Sequence, residues 1–508
     1  MSPHEATFVA HALSLAALYG DDPWPRDGHP LPDEPPRRSG DVHFPSVVYD
    51  GVSTHHRAAG SDSADELADT VLAHLGDPAP LLDLFAGIRA IDVADDLVRE
   101  LRSRDHSREK LRIAARFVVE HATRREAAKL GIAVLGSCGD DRDGELLQLL
   151  GRLDEFSLFA VVALTNTQSD REQAVFELAQ RLHGWGRIHA VERLAGSSDP
   201  AIRAWLLREG FRNGVMNEYL AYIAATTGGL YEALLGDDID DALLDGAAGI
   251  LQALAIGGPA EDMRDYEDAV PAMHRFADLL DSADPTVERL RAALSVARMC
   301  RSDREFPWPA GEPERLRSRY TALVAQRRWR ATVIAAVELP PSDADGPETR
   351  AQRACRFDIA LSCAEELDID VLSAVSAQLR IDPLNAYWWQ WVMGNAGDAI
   401  DEMVRLAEEL LAPRVTSGPS EVLGIGPGYA ADFALGMVVS RLRDHPGRGV
   451  KLIRAALSSR GVRCRRAALT TLTAWPAPSR PVGTRDWIRA AAGHEPDAEL
   501  RRELLEFA

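Results

Sequence analysis

Cysteine is scarce in this chain of 508 residues: Cys138, Cys300, Cys355, Cys363 and Cys464 are odd in number and scattered. No two form a Cys-x-x-Cys pair, which excludes a zinc ribbon, a thioredoxin-type motif and a disulfide-stapled scaffold. Such usage fits a reducing cytoplasm. Lysine is scarcer still. Lys110, Lys129 and Lys451 stand beside 54 arginines, a bias of the kind a GC-rich genome imposes. No run of 18 apolar residues exists, so no helix is predicted to span a bilayer and no membrane partner is expected. The apolar stretch Ala10–Tyr19 contains His11, lacks a basic segment ahead of it and meets Asp21 and Asp22, so it does not read as a signal peptide. Positive charge is also short. Lys plus Arg number 57 against 78 Asp plus Glu, a formal charge of −21, which argues against a general nucleic-acid binder.

What is present is a helical pattern. Residues 46% hydrophobic and 27% charged can bury a large core. From about residue 62 apolar side chains recur at three and four, as in Leu111, Ala114, Ala115, Val118 and Val119, then Leu130, Val134 and Leu135. Alternating β-branched runs are nearly missing. Residues 21–60 differ: Asp21-Asp22-Pro23-Trp24-Pro25 and Leu31-Pro32-Asp33-Glu34-Pro35-Pro36 predict an extended arm, held through Trp24, Phe44, Val47, Val48 and Tyr49. A short helix is expected before it.

The helix breaks hint at a repeat. Asp199-Pro200-Ala201-Ile202-Arg203 reads as an Asp cap with Pro in the first turn, and Asp284-Pro285-Thr286-Val287-Glu288 repeats it 85 residues on, near two periods of about 42. Ser107 to Arg112 and Gly461 to Ala468 are looser versions. On these residues the chain resembles a degenerate HEAT-like, armadillo-type repeat protein. The resemblance implies an all-α fold, an α-solenoid of antiparallel helix pairs. Four segments are expected: an arm over 1–60, regular repeats over 61–305, irregular ones over 306–415 and a basic end over 416–508.

Polar and aromatic residues are densest from His183 to Tyr222. Trp185, Arg187, His189, Trp205, Arg208, Arg212, Asn213, Asn217, Glu218 and Tyr222 are the candidate binding residues. Trp205, Arg208 and Arg212 would share one helix face, and Glu218 and Tyr222 the next. Arginines beside a carboxylate, amides and a phenol suit an anionic ligand or a peptide. The alternative is a buried network that fixes the register of the repeats. The run is similar to stretches in uncharacterised bacterial HEAT-like proteins.

Other motifs carry less. His189 and Glu192 stand at i, i+3, but no second copy exists, so no metal is assigned. Gly424-Ile425-Gly426-Pro427-Gly428 lacks the third glycine and the βαβ context of a dinucleotide loop, so no cofactor is assigned; a helix from Ala430 to Leu442 is expected after it. The acidic run from Asp237 to Asp245 has Ala242 and Ala248 where a calcium loop needs Gly and Glu. Trp388, Trp389 and Trp391 are read as core packing, with a binding anchor as the rival. Residues 441–508 hold 14 basic and 7 acidic side chains, a net of +7 that leaves −28 elsewhere. The first functional reading is a cytoplasmic protein-interaction or scaffold module with a protein partner. An enzyme acting on a small-molecule or nucleic-acid substrate in the same region is the second. A nucleic-acid-binding module at the basic end is the third.

Overall fold

A computed structural model describes residues 6–22, 24–25, 29–35, 50–51, 64–302, 305–339, 346–415, 420–424 and 426–508. The chain is all-helical, with no strand among the described residues. It divides into two compact units, the first reaching Trp329 and the second running from Arg330 to Ala508. In the first unit the helices are α1 (Phe8–Tyr19), α2 (Ala64–Ala73), α3 (Ala79–Ala86), α4 (Ala90–Ser103), α5 (Arg108–His121) and α6 (Arg125–Cys138). They continue as α7 (Gly144–Gly151), α8 (Ser157–Thr167), α9 (Arg171–Gln180), α10 (Gly184–Glu192), α11 (Pro200–Trp205) and α12 (Ala221–Gly228). Then come α13 (Leu230–Leu235), α14 (Asp241–Ile256), α15 (Ala269–Ser282), α16 (Val287–Met299) and α17 (Glu312–Val324). The division falls within α18 (Arg327–Glu338). The second unit adds α19 (Pro347–Glu366), α20 (Leu372–Ile381), α21 (Ala386–Asn395), α22 (Ile400–Leu410), α23 (Ala430–Arg441), α24 (Val450–Leu457), α25 (Val462–Ala474), α26 (Thr484–His494) and α27 (Ala498–Phe507).

Helices pack on their neighbours and, along much of the chain, on the next but one. α4 lies on α6, α6 on α8 and α8 on α10, while α5, α7 and α9 pair with them. Further along, α12 lies on α14 and α14 on α16, with α13 on α15 and α15 on α17. The second unit repeats the pattern with α21, α23 and α25. Such stacking fits an α-solenoid, in which each pair buries its apolar stripe only against its neighbours. The stripe read from sequence is the one buried: Leu111, Ala114, Ala115, Val118 and Val119 on α5 and Leu130, Val134 and Leu135 on α6. Each large aliphatic side chain so buried contributes roughly 1.5–3 kcal/mol. Gly136 lets α6 approach α8, since a Cβ there would lie 2.9 Å from Ala163 Cα.

The caps explain where helices begin. Asp199 accepts from the amides of Ala201 (2.8 Å) and Ile202 (3.1 Å), with Pro200 in the first turn as expected. The second copy of that motif works differently. Thr286, not Asp284, caps α16 by accepting from the Arg289 amide at 3.2 Å. The Asp284 carbonyl instead accepts from the Arg289 guanidinium at 2.8 Å. The described part of the arm holds no helix between Gly20 and Pro35. Trp24 lies 4.2 Å from the Arg152 guanidinium, which donates to the carbonyls of Gly20 and Asp22. Phe44, Val47, Val48 and Tyr49 lie outside the described residues, as do His55 and His56.

Burial also sorts the thiols. Cys355 is exposed, whereas Cys138, Cys300, Cys363 and Cys464 are buried, and none of the five forms a disulfide. Loss of solvent pushes the thiols of Cys138 and Cys464 up to about 12 and that of Cys300 to about 11. At pH 8 the folded protein should therefore react rapidly with a thiol reagent at Cys355 alone, and at all five in denaturant. A second fast thiol, counted by intact mass, would contradict this packing.

Candidate functional site

The region from His183 to Tyr222 sits where the regular stacking lapses. α10 and α12 do not stack directly as α8 and α10 do. Side chains bridge the gap instead. Arg187, only 6% exposed, donates from Nη1 to the carbonyl of Arg212 at 2.8 Å and to that of Glu209 at 3.4 Å. Its Nη2 reaches the carbonyl of Gln180 at 3.4 Å, and its guanidinium lies 5.6 Å from the Trp205 ring. Burial pulls the Arg187 pKa below its ordinary value, with Glu209 acting in the opposite direction. Its Nη1 and Nη2 groups are directed at helix-end carbonyls, so Arg187 ties three chain segments together, while its buried Nε has no hydrogen-bond partner among the described residues.

The arginine face expected on one helix is split by a change of helix type. α11 ends at Trp205, and residues Leu206–Gly210 form a π-helical turn. Gly246 of α14 meets that turn so closely that a Cβ would overlap the Leu207 carbonyl oxygen. Arg208 turns to the N-terminus of α14 and donates to Asp240 at 3.0 Å. Asp240 is the cap of that helix, accepting from the Leu243 amide at 2.6 Å. The Leu243 amide first, and Arg208 second, hold its carboxyl below the usual carboxylate range. Arg212, exposed, donates to the Asp245 carbonyl at 3.4 Å. Trp205 packs edge-on against Phe176 at 5.4 Å. Glu218 lies in a 3-10 turn over Asn217–Tyr219, ahead of α12, so it does not share a regular helix with Tyr222.

A different feature emerges between Phe211 and Tyr219. Asn213 is fully buried and organises a loop. Its amide group donates to the carbonyls of Met216 (2.8 Å) and Phe211 (3.3 Å). Its side-chain oxygen accepts from the amides of Val215 (2.8 Å) and Met216 (2.9 Å). Asn217 accepts from the Asn213 amide at 3.4 Å, and the Asn213 carbonyl accepts from Gly184 at 2.6 Å. Despite this internal order the tip is apolar and open: Val215 is 38% and Met216 42% exposed. Met216 and Glu218 lie against Gly258, two residues beyond Ile256, itself 42% exposed. Below the loop, Trp185 meets Tyr219 at 5.2 Å and His189 at 6.3 Å between ring centres. His189 Nδ1 stands 3.5 Å from Glu192. No cluster of three or more metal-ligating side chains occurs among the described residues. The sequence pattern pointed to the region but not to Val215 and Met216, because a two-residue apolar tip carries no periodic signal.

The remaining motifs resolve into structure. Trp388, Trp389 and Trp391 are buried, and Trp388 donates to Asp358 at 2.7 Å. Gly424 packs against Gly461, and a helix follows at Ala430–Arg441. Basic residues of the C-terminal segment are largely matched within the second unit. Arg448 pairs with Asp401 at 3.0 Å, Lys451 with Glu408 at 3.4 Å, and Arg466 with Glu503 at 3.0 Å. Arg465, buried, forms a two-pronged bond to Glu495 at 2.6 and 2.8 Å.

These geometries separate two kinds of variant. Arg208→Ala and Glu218→Gln should each cost under about 1 kcal/mol, as partly exposed polar groups do. Arg187→Ala and Asn213→Ala leave buried carbonyls or amides unpaired and should cost about 2–4 kcal/mol. Chemical denaturation of the four variants beside the parent checks the order; equal losses would contradict it. Compared with protein-family models, curated proteins and solved structures, the chain has no match, so its side-chain geometry is what bears on function.

Proposed function

We propose that the chain is a cytoplasmic protein-interaction or scaffold module of HEAT-like build, which docks a protein partner on the loop from Phe211 to Tyr219. The observation that carries this reading is the loop itself. The Asn213 side chain fixes the backbone at Phe211 and at the tip, yet the side chains so displayed are the apolar Val215 and Met216. A loop with only a solvent-facing role gains nothing from an ordered apolar tip, and exposed apolar surface beside polar groups is a feature of docking sites. Glu218, Tyr219 and Tyr222, each half-buried, supply the polar and aromatic rim. Arg187 and Arg208 support this surface from behind through backbone and cap contacts. A folded, rigid platform loses little entropy on association. Thiols outside any disulfide at all five positions agree with a reducing compartment.

The test compares partners retained by the parent with those retained by a Val215→Asp, Met216→Asp double variant, both bound to beads at equal loading. The variant should melt within a few degrees of the parent, because both positions are exposed. A partner held by the parent should be lost at least tenfold from the variant. Identical retention by both proteins would exclude this loop as the docking surface.

A further inference from the structure

Between α15 and α17, which pack side by side in the first unit, lies a groove of about 170 Å³. Ala277, Asp281, Arg319, Ala322, Leu323 and Gln326 line it. Alanine at 277 and 322 leaves room that longer side chains would fill, and Leu323 is buried beside it. The volume falls below the roughly 300–1,000 Å³ of sites for drug-sized ligands, so an occupant has few heavy atoms. The wall is apolar, and a polar cross-helix pair stands at each end.

At one end Arg319 is held from two sides. Its guanidinium pairs with Asp278 and lies 3.4 Å from His274 Nδ1. An arginine only donates, so Nδ1 accepts and the ring proton sits on Nε2, 3.0 Å from Glu312. Glu312 also pairs with Arg315. Two cations thus meet two carboxylates around a neutral imidazole. A guanidinium has five donor hydrogens, so Arg319 keeps others for an acceptor in the groove. At the other end Asp281 accepts from the Gln326 amide at 2.9 Å. Gln326 is oriented in turn, its side-chain oxygen accepting from Arg328 Nε at 2.8 Å. Arg328 is fixed by donating to the carbonyls of Ala283, at 2.9 Å, and Leu280. No arginine or lysine pairs with Asp281 among the described residues. Its carboxylate is therefore set in place by a relay of side chains, while its charge has no cationic partner.

We propose that this groove binds a short ω-amino acid, its ammonium on Asp281, its carboxylate on Arg319 and its methylenes along Ala277, Ala322 and Leu323. The unmatched carboxylate selects a cation, and the apolar wall selects an alkyl chain behind it. The donors of Arg319 select a carboxylate, which a guanidinium fork engages through two parallel bonds. The two ends are apart: Arg319 and Gln326 stand about 10 Å from each other along α17 and its extension. An α-amino acid carries both charges on one carbon and cannot reach both ends, whereas an ω-amino acid can. The proposal does not rest on the reading of the 211–219 loop as a docking surface.

The probe is 5-aminopentanoate, with pentanoate and pentylamine as the two half-ligands, titrated into the full chain and followed by saturation-transfer NMR. The parent should bind 5-aminopentanoate saturably in the millimolar range expected of so few contacts, and at least about fivefold more tightly than either half-ligand. Asp281→Asn keeps the shape and removes the charge, so it should weaken 5-aminopentanoate at least about fivefold. Ala322→Trp fills the groove and should abolish binding. Positions 281 and 322 are exposed, so both variants should melt within a few degrees of the parent, which separates lost binding from lost folding. No saturation of the parent up to about 10 mM would overturn the proposal, as such contacts would then hold nothing. Parental affinity in Asp281→Asn or Ala322→Trp would overturn it too, since binding would lie elsewhere. Pentylamine binding as tightly as 5-aminopentanoate would refute the role of Arg319 and with it the zwitterion.

Discussion

The fold depends on one recurring contact: an arginine guanidinium donating to the unpaired carbonyls at the end of another helix. A stack of short helices has many ends, and each end leaves up to four carbonyls without an intrahelical partner. Arg108 on α5 donates to the carbonyls of Cys138 and Gly139 at the end of α6, at 2.9 and 2.7 Å. Arg203 does the same for Thr227 at the end of α12 at 3.0 Å, and Arg275 for Leu234 at the end of α13 at 2.8 Å. Arg328 serves Ala283 after α15, and in the second unit Arg330 serves Leu367 after α19. The guanidinium suits this task because its planar fork reaches two acceptors and its charge complements the negative end of the helix dipole. A lysine could satisfy the charge but not the fork. Whatever the genome imposes on composition, the excess of arginine over lysine has a structural use here.

Where the stack is regular, these contacts lock one pair to the next; where it is irregular, they replace direct packing. Between α10 and α12 the π turn over Leu206–Gly210 shifts the backbone out of α-helical register, and Gly246 admits the displaced carbonyl. Arg187 then ties the segments that cannot stack. The open loop at Val215 and Met216 lies at this seam for a physical reason. A loop crossing a seam is not obliged to bury its apolar side chains against a following pair, so Val215 and Met216 can face outward while Asn213 keeps the backbone hydrogen-bonded.

Much of this architecture was legible in the sequence. Period-3.6 apolar stripes gave the helices, Asp199-Pro200 the start of α11, and the proline-dense arm its lack of helix. The cap at Thr286 was harder to see, because Asp284-Pro285 imitates the earlier motif and only the backbone decides which oxygen faces the first turn. The partners of Arg187, Arg208 and Arg212 include carbonyls and a cap on other helices. Such partners carry no side-chain signature in a sequence. The π turn was invisible for a related reason: Leu206 to Gly210 reads as ordinary helix, and the constraint that opens it comes from Gly246, far along the chain.

The same principle bears on charge. An arginine that binds backbone carbonyls leaves a carboxylate elsewhere without its counterion. The chain has a formal charge of −21, and Arg108, Arg187 and Arg275 are turned to carbonyls, whereas Arg203 reaches both the Thr227 carbonyl and the Glu232 carboxylate, each at 3.0 Å. At the junction of Arg125 and Lys129 the two cations lie among Asp33, Asp50, Glu126 and Glu155. In the second unit Arg448, Lys451 and Arg466 are paired with acids of neighbouring helices. An acidic exterior repels phosphate backbones and anionic lipids at long range.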